Sequence, residues 1–407
     1  MHVSSWAALW SQPFFFRFWS ARLVGILANQ MLMLAISWHV YDMTSSAWDL
    51  GLVGLFQFLP ALLMTLPAGH IADQFNRAKI FACCLLSQLV VSAILLSATQ
   101  GHWITRELML TLSVILGMTR AFQMPAQQAI TPLLVPSNLL QSAIAMSSSG
   151  IQVAIIGGPA IGGLVYASSP DLVYATCSVL SLLAGVQTMR VTISHQPTHA
   201  AVSWRTVLAG VEFVWTHKVL LGAMALDLFA VLLGGATALL PIYAKDILHI
   251  GPEGLGLLRA APALGSLVIS LIIARHPLKR HVGKRLLLAV AVFGAATIVF
   301  GLSENFWLSL TALVITGAAD SISVVTRLTL VQIETPDHMR GRVAAVNTLF
   351  IGASNQLGEF ESGATAAWWG PVGSVVMGGL GTILVAAWWF KLFPELAKRE
   401  DMEQKAI

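Results

Sequence analysis

Charge is what this chain has least of. Lys, Arg, Asp and Glu make up 10% of its 407 residues, where a soluble domain carries about 25%. With 56% hydrophobic residues and a mean hydropathy of +0.76, that scarcity excludes a soluble protein and leaves a polytopic membrane protein. Cysteine is nearly absent too. Cys83, Cys84 and Cys177 all fall in apolar runs and read as small packing residues, with neither a disulfide framework nor thiol chemistry. There is no phosphate-binding loop and no nucleophile–base constellation, and Ser147-Ser148-Ser149-Gly150 reads as a packing face. The histidines His39, His70, His102, His249 and His276 stand at span ends or in loops, without a pair at ligand spacing inside a span. For His39, at the outer end of the first span, surface exposure is expected. No ATP-driven step, catalytic residue, metal site or cofactor is therefore expected, and the chain does not read as an enzyme. The isoelectric point near 9.1 does not mark a nucleic-acid binder, because the basic residues are spread over membrane-flanking loops rather than gathered in one stripe. No cleavable signal pattern appears. Trp6 to Phe18, aromatic and interrupted by Pro13, reads as an interfacial segment leading into the first span.

What is present is a duplication. Gly54-Leu55…Pro60-Ala61-Leu62 recurs as Gly256-Leu257…Pro262-Ala263-Leu264, and Pro136-Ser137-Asn138-Leu139 as Pro336-Asp337-His338-Met339, each about 200 residues later. Gly158 and Gly163 answer to Gly358 and Gly363, and Tyr41 to Tyr243. Such an offset, held along most of the chain, is the trace of a two-bundle membrane protein, an architecture found mostly among secondary transporters.

A span needs roughly 20 mostly apolar residues, and about twelve such segments are present. They lie near 18–40, 49–70, 79–99, 106–125, 139–164, 170–190, 219–243, 254–275, 286–302, 306–327, 342–366 and 372–393. The fold class is thus all-α, two pseudo-symmetric six-helix bundles: 1–190, a linker at 191–218, 219–393, and a tail at 394–407 that reads as a mixed-charge solvated end. Within the linker, Val207, Val211, Phe213, Val214 and Trp215 suggest an amphipathic helix lying on the membrane surface. Basic residues set the orientation. Arg77, Lys79, Arg190, Arg205, Lys218, Lys279, Arg280, Lys284, Arg285, Arg340, Arg342, Lys391, Lys398, Arg399 and Lys405 fall on one side, against Arg106 and Lys245 on the other. Both termini are expected in the cytoplasm.

The loop after the second span runs Gly69-His70-Ile71-Ala72-Asp73-Gln74-Phe75-Asn76-Arg77-Ala78-Lys79. It resembles the signature loop of the major facilitator superfamily, Gly-x-x-x-Asp-(Arg/Lys)-x-Gly-Arg-(Arg/Lys). Gln74 replaces the first basic residue and Asn76 the second glycine, Asn being the next best residue where a turn needs positive φ. Gly69 would let helices approach closely. Asp73 would cap a neighbouring helix or pair with Arg77, so that Gly69, Asp73, Arg77 and Lys79 form a latch that breaks during the cycle. The second copy, Gly283-Lys284-Arg285, lacks the carboxylate. Gly157-Gly158-Pro159-Ala160-Ile161-Gly162-Gly163 resembles the Gly-Pro-x-x-Gly-Gly core of antiporters in that superfamily, with Ala145 and Ala154 where the full motif has glycines; ordinary small-residue packing by Gly158, Pro159, Gly162 and Gly163 is the alternative. Arg120-Ala121-Phe122-Gln123-Met124-Pro125-Ala126-Gln127-Gln128, Gly341-Arg342-Val343 and Asn355-Gln356-Leu357-Gly358-Glu359 are similar to the drug-efflux and enterobactin (siderophore) exporter branch.

Ionisable groups inside spans cost about 3 kcal/mol each on insertion scales and are functional candidates by default. They are Arg22, Arg120, Asp227, Arg259, Asp320, Arg327, Glu359 and Glu361. Arg22 and Arg327, near cytoplasmic ends, are expected to snorkel. Arg120 and Asp320 occupy equivalent positions of the fourth and tenth spans, which the resemblance places on the central pathway, where the two could meet as a gate or proton site; local pairing within each bundle is the alternative. Asp227, Asp320 and then Glu359 are the leading proton-coupling candidates. Glu359 and Glu361, roughly 200° apart around a helix, should not both face a cavity. The first span offers Asn29 and Gln30 where drug/proton antiporters carry an acid. With Arg259, Phe122 and Met124 these are candidates for the substrate cavity.

The expected function is a secondary active exporter of a small organic molecule, drug-like or siderophore, in the bacterial inner membrane. Export would run by proton antiport with alternating access, from a monomer whose partners are its substrate, protons and the lipid bilayer. An importer of a siderophore or metabolite on the same fold is the alternative.

Overall fold

In a computed structural model that describes residues 9, 11–192, 204–276, 281–336 and 339–399, the described residues form helices joined by short turns, with no strand among them. The helices are α1 (Pro13–Thr44), α2 (Ala47–Gln74), α3 (Arg77–Gln100), α4 (Arg106–Leu134), α5 (Leu140–Ser168) and α6 (Pro170–Met189). A linker helix, Trp204–Thr216, leads to α7, which runs as a regular helix over Lys218–Leu233 and continues through short irregular turns to Ile247. Then come α8 (Gly251–Arg275), α9 (Val282–Leu302), α10 (Phe306–Glu334) and a helical stretch of 53 residues, Arg340–Leu392. At 1.5 Å per residue that last stretch would be about 80 Å long, over twice the hydrocarbon core. Gly370, at φ 76, interrupts it just before Pro371, a backbone conformation that favours glycine. It therefore counts as α11 (340–369) and α12 (371–392). Among the described residues eleven helices are long and apolar enough to cross a membrane, and dividing the last gives twelve spans.

By compactness the chain forms two units. One comprises Met1–Thr44, Leu59–Val202 and Gly251–Ala260; the other comprises Ser45–Phe58, Ser203–Ile250 and Ala261–Ile407. The start of α8 thus clusters with the first unit and the start of α2 with the second. The first unit's core is built from Phe18, Phe81, Leu85, Ile130 and Ala184, with the Phe18 and Phe81 rings edge-on at 5.7 Å. Leu226, Leu286, Leu330 and Trp389 anchor the second, where the Trp389 indole donates to the Gly222 carbonyl at 2.8 Å.

Helix ends follow local chemistry. Asn76 is not the positive-φ residue expected of a glycine substitute: it sits at φ −61, and its side chain accepts from the Ala78 and Lys79 N–H groups, capping α3. Asn76→Ala should lower stability by about 1 kcal/mol, read as an earlier unfolding midpoint of the purified protein. A Cβ added at Gly69 would meet nothing within 4 Å among the described residues.

At four further places residues expected to face lipid or water pack on protein. The segment before the first span is built into the first unit, where Leu9 and Phe15 pack on Val135, Leu139 and Met146. The linker helix packs in part on protein. Val214 packs with Val343, Val346 and Met339, and Gly210 sits against the Arg342 carbonyl, which leaves Leu208, Val211 and Trp215 exposed. The residues after α12 are not a free solvated end: Leu396 and Ala397 are buried in the second core, the Gly283 N–H donates to the Arg399 carbonyl, and Arg399 pairs with Glu334 at 2.7 Å. His39 is buried and hydrogen-bonds the Tyr174 hydroxyl at 3.0 Å. The start of the segment from Trp6, the loop 193–203, Lys279, Arg280, the Asp337-His338 pair and Lys405 lie outside the described residues, as do the side chains of Asp73, His70 and Arg205.

Candidate functional site: a buried ion pair beside an acidic cavity

Among the described residues, Arg327 is the largest fully buried side chain. Contrary to the snorkelling expected of it, it points into the second unit, at 1% exposure, and its Nη2 lies 3.1 Å from Asp227 Oδ2. Its Nη1 donates to Asn347 Oδ1 at 2.6 Å. Helices α7, α10 and α11 each supply one member of this triad. A guanidinium so enclosed is compensated by one carboxylate and one amide, which fixes the three helices in phase.

Asp320 stands seven residues before Arg327 on α10, about two turns and so on nearly the same face. It shares a narrow cleft with Asp227, Val231, Phe293 and Ser323. It also borders a larger cavity of about 160 Å³ whose wall includes Thr237, Phe293, Phe300, Asn355 and Glu359. The regular part of α7 ends on this wall, at Gly234 and Gly235. Gly235 lies against the backbone of Gly358 on α11, a contact that side chains would not permit. Glu359 lines the cavity; Glu361, half-buried, is not among its lining residues.

The first unit carries an uncharged polar cluster beside its arginines. Gln88 Nε2 donates to Asn29 Oδ1 at 3.3 Å and to Gln123 Oε1 at 3.2 Å, joining α1, α3 and α4. Gln30 packs on Gly158, and Met31 on Gly162. Arg259 donates to the Ser37 hydroxyl at 3.1 Å. Arg120 and Met124 are exposed and Phe122 is half-buried. Arg22 is half-buried, with its Nε enclosed and making no hydrogen bond. Arg77 and Lys79 open α3.

The glycines of the antiporter-like stretch pack two ways. Gly158 and Gly162 face α1, while Gly163 meets Pro252 and Gly256 at the start of α8, and Gly256 faces the Pro159 carbonyl. A related contact occurs in the second unit, where Gly363 meets Gly51, one turn before the duplicate of Gly256, and Gly54 faces Glu359.

Sequence reasoning missed Asn347, Gln88, Phe293 and Phe300. Uncharged polar and aromatic residues in helices carry no signal of which neighbour they face. The spacing of Asp320 and Arg327 was a usable signal, since it sets both on one stripe.

The sequence profile of the transmembrane secretion effectors, within the major facilitator superfamily, matches residues 3–406. The chain belongs to that family. Among this secretion-effector chain's relatives, the enterobactin exporter EntS of Citrobacter koseri is 24% identical over 420 residues, covering 98% of this chain and 97% of the relative. The Escherichia coli enterobactin exporter EntS is 23% identical with the same coverage. Among solved structures, the nucleoside transporter NupG superposes with a TM-score of 0.76 at 13% identity over 93% of this chain and 100% of that one. A D-xylose–proton symporter gives 0.72 at 12% over 97% and 100%. At such identities the superpositions establish the fold alone, which is that of a major facilitator transporter. The secretion-effector chain is a multi-pass membrane transporter and not an enzyme.

Proposed function

We propose that the protein exports a small organic molecule across a bacterial inner membrane, with both termini in the cytoplasm, by alternating access driven by inward proton flow. The match to secretion effectors along nearly the whole chain, together with full-length relatives that are enterobactin exporters, favours the outward direction. The observation that carries the coupling is the group of acids in the second unit: Asp227 held by Arg327, Asp320 in the same cleft as Asp227, and Glu359 lining the cavity that Asp320 borders. Ionisable groups cluster in a membrane interior where a proton pathway needs them. Asp227 is compensated by a fixed cation, which makes Asp320 the leading group to exchange protons. Helices α7, α10 and α11, tied by the triad, would register that exchange as a change in packing.

The test is proton-coupled flux in inside-out vesicles with an imposed pH gradient. Adding a transported dye or a catecholate siderophore should dissipate the gradient, and Asp320→Asn should abolish that response while the protein still inserts. Cargo uptake in right-side-out vesicles, without a response in inverted ones, would replace export by import.

A further inference from the structure

The first unit holds a counterpart of the buried triad that lacks the acid. Arg327 and Asn347, bonded at 2.6 Å in the second unit, answer to Gln127 on α4 and Ser147 on α5 at the offset that relates Pro136 to Pro336. Asp227 answers to Gly25 at the offset that relates Tyr41 to Tyr243. Arg22 stands about one turn before Gly25, on the same side of α1. Contacts within the first unit bring the three helices to one level. The Trp19 indole donates to the Met146 carbonyl at 3.3 Å, next to Ser147, and Phe18 clusters with Ala126 and Ile130, next to Gln127 and Thr131. Arg22 lies one turn beyond both Phe18 and Trp19. All four polar side chains are left unsatisfied. Gln127, Thr131 and Ser147 are 8%, 5% and 6% exposed. Gln127 Oε1, Thr131 Oγ1, Ser147 Oγ and Arg22 Nε are enclosed and make no hydrogen bond. Nor is the charge met. Helices α1, α3, α4, α5 and α6 carry Asp or Glu only near their outer ends, at Asp42, Glu107 and Asp171. Asp42 stands 20 residues from Arg22, about 30 Å of helix.

Resting on the export reading above, we infer that Arg22, Gln127, Thr131 and Ser147 receive an oxyanion of the cargo, a carboxylate or phenolate, in the role that the Asp227 carboxylate fills in the second unit. Arg22 is half-buried, so a ligand reaches its guanidinium from the open side while Nε is shut in behind. An anion there forms the charge-assisted hydrogen bonds that make Arg–carboxylate pairs strong. The Ser147 and Thr131 hydroxyls rotate to donate to it, whereas Gln127 Oε1 can only accept. The set therefore favours an anionic oxygen with a hydroxyl or N–H group beside it. A cation would meet a fixed guanidinium with no acid at that level. A neutral ligand would leave that charge uncompensated inside the membrane, where it is costly. Bound cargo thus completes among α1, α4 and α5 the tie that the triad makes permanently among α7, α10 and α11.

The experiment is equilibrium binding of dansylglycine, a singly charged fluorescent carboxylate, to the full-length protein in phosphatidylcholine nanodiscs at neutral pH, without any gradient. Benzoate should displace it, whereas benzyl alcohol and benzylammonium, built on the same ring, should not. Arg22→Gln should raise the Kd about tenfold or more, and Thr131→Val and Ser147→Ala about threefold each. Arg190→Gln, which removes an exposed cation at the end of α6, should leave it unchanged. If Arg22→Gln does not yield monodisperse protein, the two hydroxyl variants decide. Absence of binding, displacement by benzylammonium as strong as by benzoate, or an unaltered Kd in these variants would overturn the site. Displacement by phosphatidylglycerol mixed into the bilayer, lost in Arg22→Gln, would assign the site to a lipid head group and overturn the cargo. Because no flux is measured, failure here leaves export to the vesicle assay, and import found there would leave the site intact.

Discussion

Arg327→Ala should leave little folded protein. Removing one partner of a buried ion pair strands the other charge, a loss of about 3–5 kcal/mol. Asp227 is 5% exposed and embedded between α7 and α10, so it cannot turn to water as a surface acid would. Asn347 loses its donor at the same time. The measurement is the unfolding midpoint and monodisperse yield of purified variants, run as a double-mutant cycle. Asp227→Ala alone should do comparable harm, since it strands the guanidinium. The pair Asp227→Leu with Arg327→Leu should recover much of the stability, because apolar replacement of a complete buried pair is often neutral, yet transport should not return. Additive losses in the cycle would mean the two side chains are independent, against the geometry.

Enlarging the small residues of the α5–α8 contact should separate transport from folding. A Cβ on Gly163 would run into the Pro252 carbonyl, and one on Gly256 into that of Pro159. Backbone atoms cannot rotate away, so even Gly163→Ala must shift the start of α8, and overpacking costs about 1–3 kcal/mol. That start is also where Arg259 reaches Ser37. Gly163→Leu and Gly256→Leu should reduce cargo flux more than tenfold, equivalent to about 1.4 kcal/mol or more. Gly69→Ala, where a methyl group meets nothing among the described residues, should leave flux within about twofold. Equal losses at Gly69 and Gly163 would remove the contact's special status.

The architecture was legible because burial in lipid demands long apolar helices, and a duplicated chain writes its spans twice. Twelve segments, the Pro60 and Pro262 echo and the weak signature loop led to the fold without any tertiary information. Failures arose where an apolar residue had two possible hosts. Val214 and Leu396 read as lipid-facing or solvated, and both pack on protein. For Arg327, distance from the helix end was weighed without knowing the phase of α7 against α10, and only that phase reveals Asp227. The α11–α12 boundary was placed correctly in sequence, but a single stretch with a glycine hinge was not visible, because Gly370-Pro371 reads equally as a loop. Glu359 was separable from Glu361 by helical angle; its neighbour Gly54 was not, since that contact joins residues far apart in the chain.

The related glycine contacts have a bearing on descent. Gly163 with Gly256 and Gly363 with Gly51 leave room for backbone alone, so either member can be enlarged only if its counterpart retreats, and neither retreats below glycine. Such positions should stay frozen across related chains while the residues around them drift. The exception is instructive: where one copy has Pro159 facing Gly256, the other has Glu359 facing Gly54. One ancestral seam, inherited twice, kept its steric duty in one half and accommodated an ionisable group in the other. The glycine opposite made that innovation sterically possible, so a restored side chain at position 54 should select against the acid across generations.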